Sequence, residues 1–108
     1  MPIWGIDLGG TKIEGVVLSD DKVPKILVRK RIDTEAAQGY KHIISRIKLL
    51  IDTMAHELGY YPEKIGLGTP GAIDPISGLM KNANTTILNG RCFKEDVKKA
   101  LGIPLQMA

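Results

Sequence analysis

Cysteine occurs once in this chain of 108 residues, so an internal disulfide and any cysteine-based metal cluster are excluded. A reducing, cytoplasmic setting suits that usage. The lone thiol, Cys92, stands beside Phe93 at a predicted helix start and is expected to be a buried structural group. Aromatics are equally scarce, with one tryptophan, three tyrosines and one phenylalanine, and no stacking platform for bases can be assembled from them. The net charge of +3 is mild and its basic residues are scattered, which argues against a nucleic-acid partner and for solvated faces. No apolar run reaches membrane-spanning length, and Asp7 interrupts the first one too early for a signal peptide. The two histidines, His42 and His56, are too far apart to share a metal, and both are expected to be solvated. Repeats, low-complexity tracts and linkers are missing too. What is left is one domain, or one lobe of something larger, with material for a moderate core.

The most informative stretch is residues 4–18, WGIDLGGTKIEGVVL. Two apolar runs flank Gly9-Gly10-Thr11-Lys12, the pattern of two strands joined in a tight hairpin. Bare glycines permit positive φ and let successive backbone N–H groups turn toward one point, a nest suited to phosphate. Thr11 adds a hydroxyl and Lys12 a charge. Asp7, just upstream, would repel phosphate unless a cation lay between them. Hydrated Mg²⁺ is the natural one, because it binds through one or two carboxylates plus phosphate oxygens. The plainer alternative is a simple turn with a surface acid.

Residues 25–32 alternate as a third strand, with Ile26, Val28 and Ile32 expected on one face, so the first three strands form an antiparallel meander. A connector at 34–39 precedes the strongest helix, in which Ile43, Ile44, Ile47, Leu50, Ile51, Met54 and Leu58 recur at steps of three and four, with Gly59 as its C-cap. Residues 65–68 read as a short strand made of small residues so that something can approach its end. Gly66, Gly68 and Gly71 match G-x-G-x-x-G literally, but Pro75 and Ser77-Gly78 supply turn chemistry where that fingerprint needs an opening helix. A nicotinamide site is therefore not expected. Thr69-Pro70-Gly71 instead suits the rim of a binding site, followed by a small hairpin turning at 74–78. Asn82-Ala83-Asn84-Thr85-Thr86 offers donors and acceptors for sugar hydroxyls, or is an ordinary Asn/Thr loop. A second helix is predicted at 93–101, with Glu95-Asp96 in its first turn, Lys98-Lys99 in its last, and Gly102 and Pro104 as stops. Another strand begins after it.

The string Asp7-Leu8-Gly9-Gly10-Thr11-Lys12 resembles the first phosphate motif of the actin, Hsp70 and sugar-kinase superfamily. Residues 66–74 and 84–104 extend the resemblance, and the whole chain is similar to the N-terminal lobe of a ROK-family sugar kinase. The resemblance implies an α/β, ribonuclease-H-like lobe: an antiparallel three-strand meander followed by parallel strands with helices. It implies ATP and Mg²⁺ as cofactors, with Asp7 holding the metal and Gly9, Gly10, Thr11 and Lys12 lining the terminal phosphates. Gly71 and Ala72 would frame the sugar, and Asn84 would bond one of its hydroxyls. The family's general-base aspartate would follow just after Ala108, so residues 1–108 are expected to be a lobe cut short of the catalytic residue and inactive alone. A zinc site in many relatives, the adenosine pocket and most sugar-discriminating side chains would lie in the other lobe. The complete protein is expected to be a cytoplasmic homo-oligomer that phosphorylates a hexose or N-acetylhexosamine. Two alternatives are a sugar-sensing ROK transcriptional regulator lacking its DNA-binding segment, and an actin- or Hsp70-like ATPase with no sugar substrate. The Asn84 loop and the Pro70-Gly71 rim weigh against the latter.

Overall fold

A computed structural model describes residues 2–69, 72–73, 76–77, 79–81 and 88–107, with the side chains of 72, 73 and 81 excepted. Three strands open the chain: β1 (Ile3–Leu8), β2 (Lys12–Leu18) and β3 (Ile26–Asp33). The alternation in β1 decides its faces. Trp4, Ile6 and Leu8 are buried, while Ile3 and Asp7 are exposed on the opposite side. Strand β2 pairs antiparallel with β1, Asp7 opposite Glu14 and Leu8 opposite Ile13, and buries Ile13 and Val17 on the same side as Trp4.

A bulge breaks the β2–β3 register between Val17 and Leu18, so that Val17 faces Val28 while Leu18 faces Ile26. One expectation fails there: Ile26 and Val28 do not share a face, because the inserted residue flips the pleat and leaves Ile26 58% exposed. After a 3₁₀ turn (Ala36–Gln38), α1 (Tyr40–Leu58) lays Ile43, Ile44, Ile47, Leu50, Ile51, Met54 and Ala55 on the sheet. Each of the isoleucine, leucine and methionine side chains contributes ~1.5–3 kcal/mol by leaving water. The helix ends where expected: Gly59 sits at φ 88 and its amide donates to the Ala55 carbonyl at 2.7 Å.

The chain then crosses to β4 (Ile65–Gly68), parallel to β1 with Asp7 opposite Gly68. A two-stranded hairpin of β5 (Ala72–Ile73) and β6 (Met80–Lys81) follows, then α2 (Phe93–Leu101) and β7 (Leu105–Met107), which runs parallel to β4. The main sheet has the order β3-β2-β1-β4-β7, the meander read from the sequence pattern plus the parallel strands that the resemblance implies. Helix α2 buries Phe93 and Val97 and lies against α1, where Tyr40 meets Phe93 edge-on and donates its hydroxyl to Asp96 at 2.5 Å. Burial and the neighbouring Asp96 carboxylate push the Tyr40 phenol well above its ordinary pKa. Cys92 is exposed rather than buried, because α2 begins at Phe93 and the thiol stays outside the apolar face.

Helices thus cover one face of the sheet. The other carries Ile3, Gly5, Asp7, Glu14, Val16, Gly66, Gly68 and Gln106 around an open trough of about 780 Å³.

Candidate functional site

Strands β1 and β4 are parallel neighbours, so residues 9–11, which follow β1, and Thr69, which follows β4, leave the sheet side by side at one carboxyl edge. Ligands of open α/β sheets bind at such an edge.

The 9–11 loop is short because Gly9 closes it, its amide donating to the Lys12 carbonyl at 2.9 Å. A Cβ on Gly9 would lie 2.8 Å from that carbonyl oxygen. Glycine is needed here for close approach and not for a left-handed backbone: positive φ among the described glycines occurs at Gly39, Gly59, Gly90 and Gly102, not at Gly9. The expected ease of a positive φ is therefore not what shapes this turn.

Among the described residues, the amides of Gly10 and Thr11 donate to no backbone acceptor, and both residues are exposed. Two adjacent free N–H groups in a bend make a small electropositive surface. Lys12 is engaged elsewhere: its ammonium pairs with the Asp33 carboxylate, directly across β3, and holds the Asp33 pKa below its ordinary value.

Asp7 stands on the open face two residues before Gly9. Its carboxylate has no hydrogen bond or ion pair among the described residues, although the neighbouring acid Glu14 is doubly held. Arg29 Nε donates to Glu14 at 2.6 Å and Arg31 Nη2 at 3.0 Å, which keeps the Glu14 pKa below the ordinary glutamate range. Gly68 lies directly beside Asp7, and a Cβ there would come into van der Waals contact with its Oδ1 at 3.4 Å. No group of three or more His, Cys, Asp or Glu side chains able to hold a metal occurs among the described residues. One free carboxylate beside free amides fits Mg²⁺ that arrives with phosphate oxygens and keeps its waters, rather than a closed protein cage.

Of the positions expected to meet sugar, Gly71 and Asn84 lie outside the described residues, as do Pro70 and the whole of the 82–86 loop. Ala72 begins β5, paired with Lys81. The G-x-G-x-x-G match leads into strand β5 and not into a helix, as its turn residues imply. His42 is not simply solvated. Its Nε2 lies 2.7 Å from Glu35, which also pairs with Arg46 at 3.4 Å. Among the described residues no helix is long and apolar enough to cross a membrane.

Thr34 and the Arg29–Glu14–Arg31 group went unnoticed in the sequence. For the arginines a signal existed, since basic residues at i and i+2 on a strand share a face opposite an acid.

The family pattern described as "ROK family" matches residues 3–108. The chain is 30% identical over 99 residues to an N-acetyl-D-glucosamine kinase of Aliivibrio salmonicida, covering 92% of this chain and 32% of that protein. Among solved structures it resembles a ROK hexokinase from Thermus thermophilus, with a TM-score of 0.79, 25% identity, and coverage of 100% of this chain and 35% of the other. It also resembles a ROK family glucokinase from Streptomyces griseus crystallised with glucose and AMPPNP, with a TM-score of 0.80 at 22% identity, covering 99% of this chain and 32% of the other. The chain spans about a third of the length of the curated relatives it matches.

Proposed function

Because this chain belongs to the ROK family, we propose that residues 1–108 form the N-terminal lobe of an ATP-dependent kinase acting on a hexose or N-acetylhexosamine. The observation that carries this reading is that Asp7 and the amides of Gly10 and Thr11, all without a partner among the described residues, lie close in sequence at the sheet edge where β4 also ends.

Phosphoryl transfer asks a protein mainly to position its reactants and to place charge around the moving group. In this lobe the Gly10 and Thr11 amides would bind the terminal phosphates, and Asp7 would hold hydrated Mg²⁺. When bound, the metal would supply neutralisation of the charge that develops on the phosphate oxygens. Lys12 reaches the nucleotide only by leaving Asp33, so its role is secondary to the amides. Gly71, Ala72 and Asn84 frame the sugar, and the general base lies beyond Ala108. Among the described residues, neither acid on the open face is free to act as that base: Asp7 is assigned to the metal, and Glu14 is held by its two arginines. The complete enzyme works as a cytoplasmic homo-oligomer.

The expected outcome is that the polypeptide continuing past Ala108 releases ADP only when both ATP and a hexose or N-acetylhexosamine are supplied, whereas residues 1–108 alone release none. Sugar-independent ATP hydrolysis by the longer polypeptide would contradict the kinase assignment, and sugar-dependent release by the short one would contradict the missing base.

A further inference from the structure

One residue outside the 9–12 loop holds its shape. Thr34 is 0% exposed, the one buried polar residue among the described residues. It reaches back across the sheet and donates twice into the loop, from its amide to the Thr11 carbonyl at 2.8 Å and from its hydroxyl to the Gly9 carbonyl at 2.9 Å. We propose that Thr34 is a positioning residue for phosphate binding: by holding the Gly9 carbonyl it aims the Gly10 N–H at the anion. This rests on the phosphate-loop reading given above.

The argument follows from peptide geometry. In a trans peptide the C=O of one residue and the N–H of the next point in opposite directions. With the Gly9 carbonyl drawn toward Thr34, the Gly10 N–H must point the other way, out of the protein. Glycine stands on both sides of that peptide, so nothing in the local sterics opposes its rotation. Rotated, it would present a carbonyl oxygen to phosphate and repel it. The Thr34 hydroxyl is the contact that selects between these two orientations.

Thr34 is itself fixed from α1. Arg46 Nε donates to the adjacent Asp33 carbonyl at 2.9 Å, and Glu35, at φ 57, turns the chain away at once while bonding His42. A buried hydroxyl needs some acceptor. This one takes its acceptor 25 residues away, in the loop, and shares that loop with its own amide.

The test follows the Gly10 amide of the ¹⁵N-labelled chain during titration with Mg²⁺–ATP. Thr34→Val keeps the shape and removes the hydroxyl, and Thr34→Ser restores it. The expected result is a downfield shift of Gly10 in the wild type and in Thr34→Ser, with dissociation constants within about twofold, and a roughly tenfold weaker constant without the Gly10 shift in Thr34→Val, the scale of one lost hydrogen bond. A Thr34→Val protein that binds as the wild type does, with Gly10 shifting alike, overturns the proposal. So does a wild-type titration in which Gly10 does not move. If the longer polypeptide is nevertheless a sugar kinase, the functional reading survives and this positioning role alone fails. Should Thr34→Val not fold, hydrogen exchange of Gly10 in the wild type decides: fast exchange slowed by Mg²⁺–ATP supports the role, and exchange unchanged by nucleotide overturns it.

Discussion

The two faces of the five-stranded sheet come from the same strands, taken at alternate residues, and they are built for different ends. On the helix-covered face Trp4, Ile6, Leu8, Ile13, Val17, Ile65 and Leu67 are buried against α1 and its neighbours. On the open face the same strands present Ile3, Gly5, Asp7, Glu14, Gly66 and Gly68 around the trough. One face stores stability. The other is made of glycines, which leave room, and of charges, which need solvent or a partner. The carboxyl edge, where both faces end, carries the 9–11 loop. That loop is tied by Thr34 to the connector held by α1, while Asp7 stands on the open face two residues before it.

The same truncation made on each face breaks the comparison most severely. Ile13→Ala removes a fully buried side chain and should destabilise the fold by ~2–5 kcal/mol, whereas Ile3→Ala, at a position 58% exposed, should change it by no more than ~0.5 kcal/mol. Urea unfolding midpoints measure both, and equal losses would mean that the open face is covered in solution.

A smaller effect sharpens the electrostatic half of the contrast. Glu14 has its pKa lowered in the folded state by Arg29 and Arg31, so its contribution is fully present above the unfolded glutamate value, ~4.3, and fades as pH falls through the lower folded value. Glu14→Gln should therefore be slightly less stable than the wild type at neutral pH, and the gap should close on acidification below that range. Because the group is solvent-facing, added salt should narrow the gap as well. A gap that widens in acid would contradict the arginine clamp.

Much of this division was readable from residue order. The period-two alternation of residues 3–8 and 12–18 assigns the two faces, and the three- and four-residue steps from Ile43 to Met54 assign α1. Gly59 and Gly102 mark both helix ends because each adopts the left-handed conformation there. What resisted was decided by contacts between distant segments. The bulge opposite Leu18 reversed Ile26, and no local signal in residues 25–28 announces it. Thr34 looked like one more polar connector residue because its acceptors lie in the first hairpin. Cys92 read as buried since its neighbour Phe93 is, yet a helix start separates the two environments. The tight turn after β1 was legible as a motif, and of the two reasons for its glycine only one applies: the missing Cβ matters, because the Lys12 carbonyl would exclude it at position 9, whereas positive φ does not.

The central claim is that Asp7 and the loop after it grip a magnesium-bound triphosphate. Phosphorus NMR of ATP mixed with the chain tests it most directly, comparing the wild type with Asp7→Asn in the presence and absence of Mg²⁺. The account predicts Mg²⁺-dependent shifts of the β- and γ-phosphate resonances that Asp7→Asn loses while its unfolding midpoint stays unchanged. Resonances that move equally with both proteins, or not at all, would contradict it.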